Sequence, residues 1–138
     1  MWARRAEIAT KINARTNERY LRGVTLPRGL GATTSLDEAL GGADLVVVAV
    51  PSQLARAVLE PGAGMVSDDA VAVSLMKGIE LGTGLRMSQM VGEVLAVGPE
   101  RLAVVSGPNL ADEIAAGQPT ATVVADFRYK MDFLLFGI

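Results

Sequence analysis

The sequence predicts an α/β domain, a mostly parallel sheet flanked by helices. Three observations carry that expectation. First, short apolar runs recur at Leu45-Val46-Val47-Val48-Ala49-Val50, Ala70-Val71-Ala72-Val73-Ser74-Leu75 and Leu102-Ala103-Val104-Val105, with helix-period segments between them. Strands alternating with helices at this spacing imply βαβ units. Second, the runs lack polar–apolar alternation, the pattern of parallel strands covered on both faces. Third, a length of 138 residues suits one domain with a real core and is short for two. The mean hydropathy of +0.34 resides in these runs, each far below the ~18 apolar residues of a membrane-spanning helix.

The elements follow in order. Ile8 and Ile12 recur at helical spacing within residues 3–17, so a surface helix is expected there. Gly23, Pro27, Gly29 and Gly31 then break the chain. Ser35-Leu36-Asp37-Glu38 has the capping-box pattern, with Ser35 as N-cap and Glu38 reaching back to it, and Gly41-Gly42 ends that short helix. Residues 45–50 read as the clearest strand, with five large aliphatics buried at roughly 1.5–3 kcal/mol each. Pro51 ends it, and Ser52 is placed to cap a helix reaching about Leu59. After the Pro61-Gly62-Ala63-Gly64 loop comes a strand over 71–75. A helix over 87–95 follows, with Met87, Met90, Val91 and Val94 on one face. A strand over 102–105, a helix over 110–116 and a strand over 121–125 complete the pattern. From Asp126 the character changes, because all three phenylalanines and one of the two tyrosines fall in residues 126–138. Residues 1–125 are therefore expected to form the α/β domain and 126–138 an atypical C-terminal tail.

Composition narrows the chemistry. A net charge of −2 gives no reason to expect a nucleic-acid partner. With no cysteine there is no disulfide or thiolate zinc site, and with no histidine the commonest general base and metal ligand is missing. No metal site is expected. The opening Met1-Trp2-Ala3-Arg4-Arg5 does not read as a secretory signal, and a cytoplasmic location is the expectation.

Three strand ends should present loops on one sheet edge: Val50-Pro51-Ser52-Gln53, Met76-Lys77-Gly78 and Ser106-Gly107-Pro108-Asn109. Ligands of open α/β sheets collect beyond such ends. Lys77 is either a solvated lysine or a cation for an anionic substrate group; one charge pair at ~4 Å is worth roughly 4 kcal/mol. Ser106-Gly107-Pro108-Asn109-Leu110-Ala111 is either a turn capped by Asn109 or a glycine-bearing approach to a phosphate or carboxylate. Arg4-Arg5 is either a solvated pair or a site for an adenosine 2′-phosphate. No G-x-G-x-x-G occurs: Gly29-Leu30-Gly31 is followed by Ala32-Thr33-Thr34.

Taken together, Trp2-Ala3-Arg4-Arg5, Asn17-Glu18-Arg19-Tyr20-Leu21, Leu26-Pro27, Ala49-Val50-Pro51-Ser52-Gln53, Ser74-Leu75-Met76-Lys77-Gly78-Ile79-Glu80 and Ser106-Gly107-Pro108-Asn109-Leu110-Ala111 resemble bacterial NAD(P)-dependent glycerol-3-phosphate dehydrogenase. The resemblance implies a Rossmann-like fold and interconversion of sn-glycerol 3-phosphate and dihydroxyacetone phosphate, feeding glycerophospholipid synthesis. It implies that Lys77, Gly107 and Asn109 contact the substrate. Cofactor contacts would be Arg4, Arg5, Pro51, Lys77 and Ala111. It also implies that this chain is an internal fragment. The family's first strand and glycine loop would precede it, and a helical C-terminal domain carrying the proton-accepting lysine would follow. Neither Lys11 nor Lys130 lies in a matching motif, so no catalytic residue is assigned, and the fragment is expected to be inactive alone. A related hydroxyacid or sugar-acid dehydrogenase is one alternative. The other is a non-catalytic phosphate-binding or interaction module, including a homo-oligomer formed through open sheet edges.

Overall fold

The computed structural model describes residues 1–126 together with the backbone of residues 132–136. Helix α1 (Ala6–Asn13) and α2 (Leu36–Leu40) precede strand β1 (Leu45–Val48). Then come α3 (Ala55–Leu59), β2 (Val71–Ser74), α4 (Met87–Leu95), β3 (Leu102–Ser106), α5 (Ala111–Ala115), β4 (Thr120–Asp126) and β5 (Asp132–Phe136). The sheet order is β1-β2-β3-β4-β5. The first three strands are parallel, with Leu45 opposite Val71 and Ala72 opposite Leu102. Strand β4 then reverses against β3, and β5 pairs antiparallel to β4. The α/β architecture with a mostly parallel body is thus present, and its far edge is antiparallel. Of the aromatic-rich tail, residues 127–131 and 137–138, and every side chain from 127 onward, lie outside the described residues.

Helix α4 is the keel of the core. Met87, Met90, Val91 and Val94 repeat at the spacing of one helical face, and all four are buried along with Leu95. They pack with Val46, Val48, Ala55, Leu59, Ala72, Met76 and Leu102 into one cluster on a single side of the sheet. The opposite side is open, which corrects the expected burial of the first strand on both faces. Only Val46 and Val48 are buried there, while Leu45 is 56 % and Val47 51 % exposed. No helix of the described residues packs over that side of β1, so the apolar composition of the strand outruns its burial.

Several local expectations shift for identifiable reasons. The first helix begins only at Ala6, since Trp2 is drawn into a parallel bridge with Thr33 and its Nε1 donates to the Thr34 carbonyl at 3.0 Å. Ser35 does cap α2, accepting the Glu38 N–H at 3.2 Å. Glu38 does not reach back to Ser35; its carboxylate takes the Thr33 hydroxyl, and the Ser35 N–H donates to Thr33 Oγ1 at 3.1 Å. Ser52 caps nothing, because residues 52–54 wind as a 3₁₀ turn that leads into α3. Among the described residues, no helix is long and apolar enough to cross a membrane.

Candidate functional site

Because β1, β2 and β3 run parallel, their carboxyl ends open on one edge, and the loops at 50–53, 76–78 and 107–110 meet there. Strand β2 ends at the fully buried Ser74, whose hydroxyl accepts the Met76 N–H at 3.3 Å. That small turn keeps Met76 in the core and sends Lys77 outward. Lys77 reaches across to the end of β3, where its Nζ donates to the Gly107 carbonyl at 3.3 Å. Two residues thirty apart in sequence thus converge on one exposed point.

Glycine at 107 is dictated by space. A Cβ there would stand 2.2 Å from the Ala121 carbonyl oxygen of β4, so β3 and β4 can approach at the turn only without a side chain. Asn109 does not cap α5, which starts at Ala111 with no side-chain cap. Its Oδ1 instead accepts the hydroxyls of Thr120 and Thr122, each at 2.9 Å. The amide NH₂ end of Asn109 makes no bond among the described residues. Ala111 is the first residue of α5, a five-residue helix with no buried side chain.

Arg4, Arg5 and Pro51 belong to a second, adjoining place. They line a cleft of about 500 Å³ between the α1 segment and the end of β1, together with Trp2, Val50 and Leu54. Arg5 is partly engaged by Glu7 at 3.3 Å. The cleft combines guanidinium groups with apolar walls, which suits a flat ring system bearing an anionic group. Lys77, Gly107, Asn109 and Ala111 do not line it. Two neighbouring stations therefore share the edge, joined through the 50–53 loop.

What joins them is a set of contacts that the sequence alone did not show; Ser52 and Gln53, which the resemblance sets beside Pro51 in the cofactor cleft, are not among the residues lining it. Gln53 donates Nε2 to the Ile79 carbonyl at 2.8 Å and accepts the Leu81 N–H at 3.0 Å. Arg56 holds Glu80 in a fork, with Nε to Oε1 at 2.8 Å and Nη2 to Oε2 at 3.0 Å, and reaches Glu93 through Nη1 at 2.9 Å. Thr83 Oγ1 adds a 2.6 Å bond to Glu80. The hydrogen bonds from Arg56, then that from Thr83, hold the Glu80 carboxyl below the usual carboxylate range, against a smaller opposing effect of desolvation. The same bonds, first to Glu80 and then to Glu93, push Arg56 above its already high value. Arg56 and Glu80 are 24 residues apart, and only the crossover between β1 and β2 brings them together. Tyr20 and Arg19 also line the cleft and stack on each other at 5.5 Å.

The chain as a whole is similar to known proteins. A family model described as NAD-dependent glycerol-3-phosphate dehydrogenase N-terminus matches residues 1–132. Glycerol-3-phosphate dehydrogenase [NAD(P)+] of Streptomyces avermitilis is 55 % identical over 126 residues, which are 91 % of this chain and 38 % of that protein. A second such enzyme from Mycobacterium tuberculosis is 54 % identical over the same length. Among solved structures, glycerol-3-phosphate dehydrogenase of Coxiella burnetii superposes with a TM-score of 0.81 at 28 % identity, covering 91 % of this chain and 38 % of that one. The Saccharomyces cerevisiae enzyme gives 0.81 at 30 % identity, covering 99 % and 40 %. The chain spans well under half the length of these relatives. It belongs to the NAD-dependent glycerol-3-phosphate dehydrogenase family and corresponds to its N-terminal domain.

Proposed function

We propose that the chain supplies the cofactor- and substrate-binding half-site of an oxidoreductase that interconverts sn-glycerol 3-phosphate and dihydroxyacetone phosphate with NAD(P)(H). The observation that carries this reading is the convergence of Lys77 and Gly107, in a chain of this family, on the edge where three strands end. A phosphate-bearing three-carbon substrate needs a cation, and Lys77 presents one beside a glycine turn where a ligand can come close to the backbone. Asn109 offers an amide donor on the same turn, and Ala111 follows it at the start of α5. Arg4 and Arg5 would take the adenosine ribose or its phosphate, with Pro51 lining the same cofactor cleft. When bound, that cofactor accepts or returns the hydride; the residues named here bind and orient.

In this reading residues 1–125 form the dinucleotide-binding unit and 126–138 a tail set apart by its composition. The whole protein would act in the cytoplasm, in glycerophospholipid synthesis. The 138 residues alone hold the substrate phosphate and do not turn it over, because no phosphate loop of the G-x-G-x-x-G kind occurs in the sequence and Lys77 is the one lysine on the described edge.

Titration of the chain with dihydroxyacetone phosphate and with NADPH, followed by amide NMR, tests the proposal. Shifts are expected at Lys77, Gly107 and Asn109 for the first ligand, and around Arg4, Arg5 and Pro51 for the second. Silence at Lys77 and Gly107 refutes the substrate site. Stronger shifts with 6-phosphogluconate or a 3-hydroxyacid than with dihydroxyacetone phosphate favour the sugar-acid or hydroxyacid reading instead. Glycerol-3-phosphate-dependent NADH formation by the chain would refute the assigned lack of turnover.

A further inference from the structure

Lys77 leaves β2 on an exposed segment. Lys77, Gly78 and Ile79 are exposed, and Gly78 sits at φ 102°, a region that only glycine adopts at little cost. Part of what holds the residues that follow comes from the turn and helix after β1. Gln53 takes hold of the backbone at Ile79 and again at Leu81. Between those two residues Arg56 takes the side chain of Glu80 in a two-bond fork. Three consecutive residues are therefore held, two by main chain and one by side chain.

The far side of the loop is closed as well. The Glu80 N–H donates to the Leu85 carbonyl at 2.9 Å, and Ile79 bridges Arg86. Arg56 is in turn anchored to α4 through Glu93. It also occupies the carboxylate nearest in sequence to Lys77, which leaves that ammonium to Gly107. A planar guanidinium can make this fork and a lysine cannot.

We propose that Gln53 and Arg56 are positioning residues for Lys77, fastening residues 79–81 to α3 and the turn before it so that the ammonium is aimed at the Gly107 turn and at a phosphate bound there. The proposal rests on the substrate role given to Lys77 above, and its test keeps the two apart. Gln53→Ala changes an exposed side chain, and Arg56→Lys keeps the charge while losing the fork. The ¹⁵N resonance of Lys77 Nζ, the Gly107 amide and the dissociation constant for dihydroxyacetone phosphate are measured in each variant. The same substitutions are then made beside Lys77→Gln.

Both variants are expected to move the Lys77 and Gly107 resonances and to weaken binding by roughly tenfold. Beside Lys77→Gln, the further loss on changing Gln53 or Arg56 should vanish, since the residue through which they act has gone. Equal losses with and without Lys77 would reduce the clamp to general support and overturn the proposal. Unmoved Lys77 and Gly107 resonances would overturn it whether or not ligand binds. If the unaltered chain ignores dihydroxyacetone phosphate while those resonances still respond to the variants, positioning stands and the substrate reading falls.

Discussion

Gly107 and Glu80 show how much of the edge depends on single residues. A methyl group at 107 would meet the Ala121 carbonyl at 2.2 Å, and neither backbone can retreat without breaking the β3–β4 pairing. Gly107→Ala is therefore expected to lower unfolding free energy by roughly 1–3 kcal/mol, read from urea midpoints, and to abolish the response to dihydroxyacetone phosphate. Glu80 governs a pH effect. Its native carboxyl titrates below the ordinary range, so the unfolded chain binds that proton more readily than the folded one. The stability it contributes is complete above the ordinary carboxylate range and is lost as pH falls through the depressed native value. Unfolding midpoints followed from about pH 6 to about pH 3 should therefore fall, and Glu80→Gln should flatten part of that slope. An identical slope in the variant would remove Glu80 from the account.

Element by element, helix α4 was the most legible part of the sequence. Its period of apolar residues is a local property, and the observed helix spans the same residues, 87–95. Met90 has no exposed surface, and Met90→Ala should cost roughly 2–5 kcal/mol through the cavity it leaves. A loss much smaller than that, by thermal or chemical unfolding, would mean the core relaxes around the gap. Strand ends were legible too, because Lys77 and Gly107 each follow an apolar run and precede a break. What could not be read were features set by partners far away in sequence. Asn109 resembled a helix cap, yet its oxygen serves Thr120 and Thr122 on β4. Arg56 carried no motif, and Glu80 gave no hint of its partner, because nothing local distinguishes a forked ion pair from two solvated charges. The exposure of Leu45 and Val47 escaped for the same reason: composition reports what a strand could bury, and only neighbours decide what it does bury.

At the scale of the whole molecule, the sheet has one covered face and one bare one, and β1 has an open edge. Leu45, Val47, Val71 and Leu75 are all exposed on that bare side. Unprotected edges of this kind pair with other chains. Self-association that grows with concentration is expected in sedimentation velocity, and Val47→Lys should shift the distribution toward monomer. A monomer at all concentrations would show that the edge is harmless. The sheet order has a consequence for time as well as space. Gln53 and Ile79 are 26 residues apart, and Lys77 and Gly107 are 30. Contacts that close such long loops form slowly compared with helices and hairpins. The half-site therefore cannot exist in a partly folded chain whose parallel crossovers are unfinished. In a refolding experiment, the Lys77–Gly107 contact would act as a clock hand that moves last, after α4 has wound.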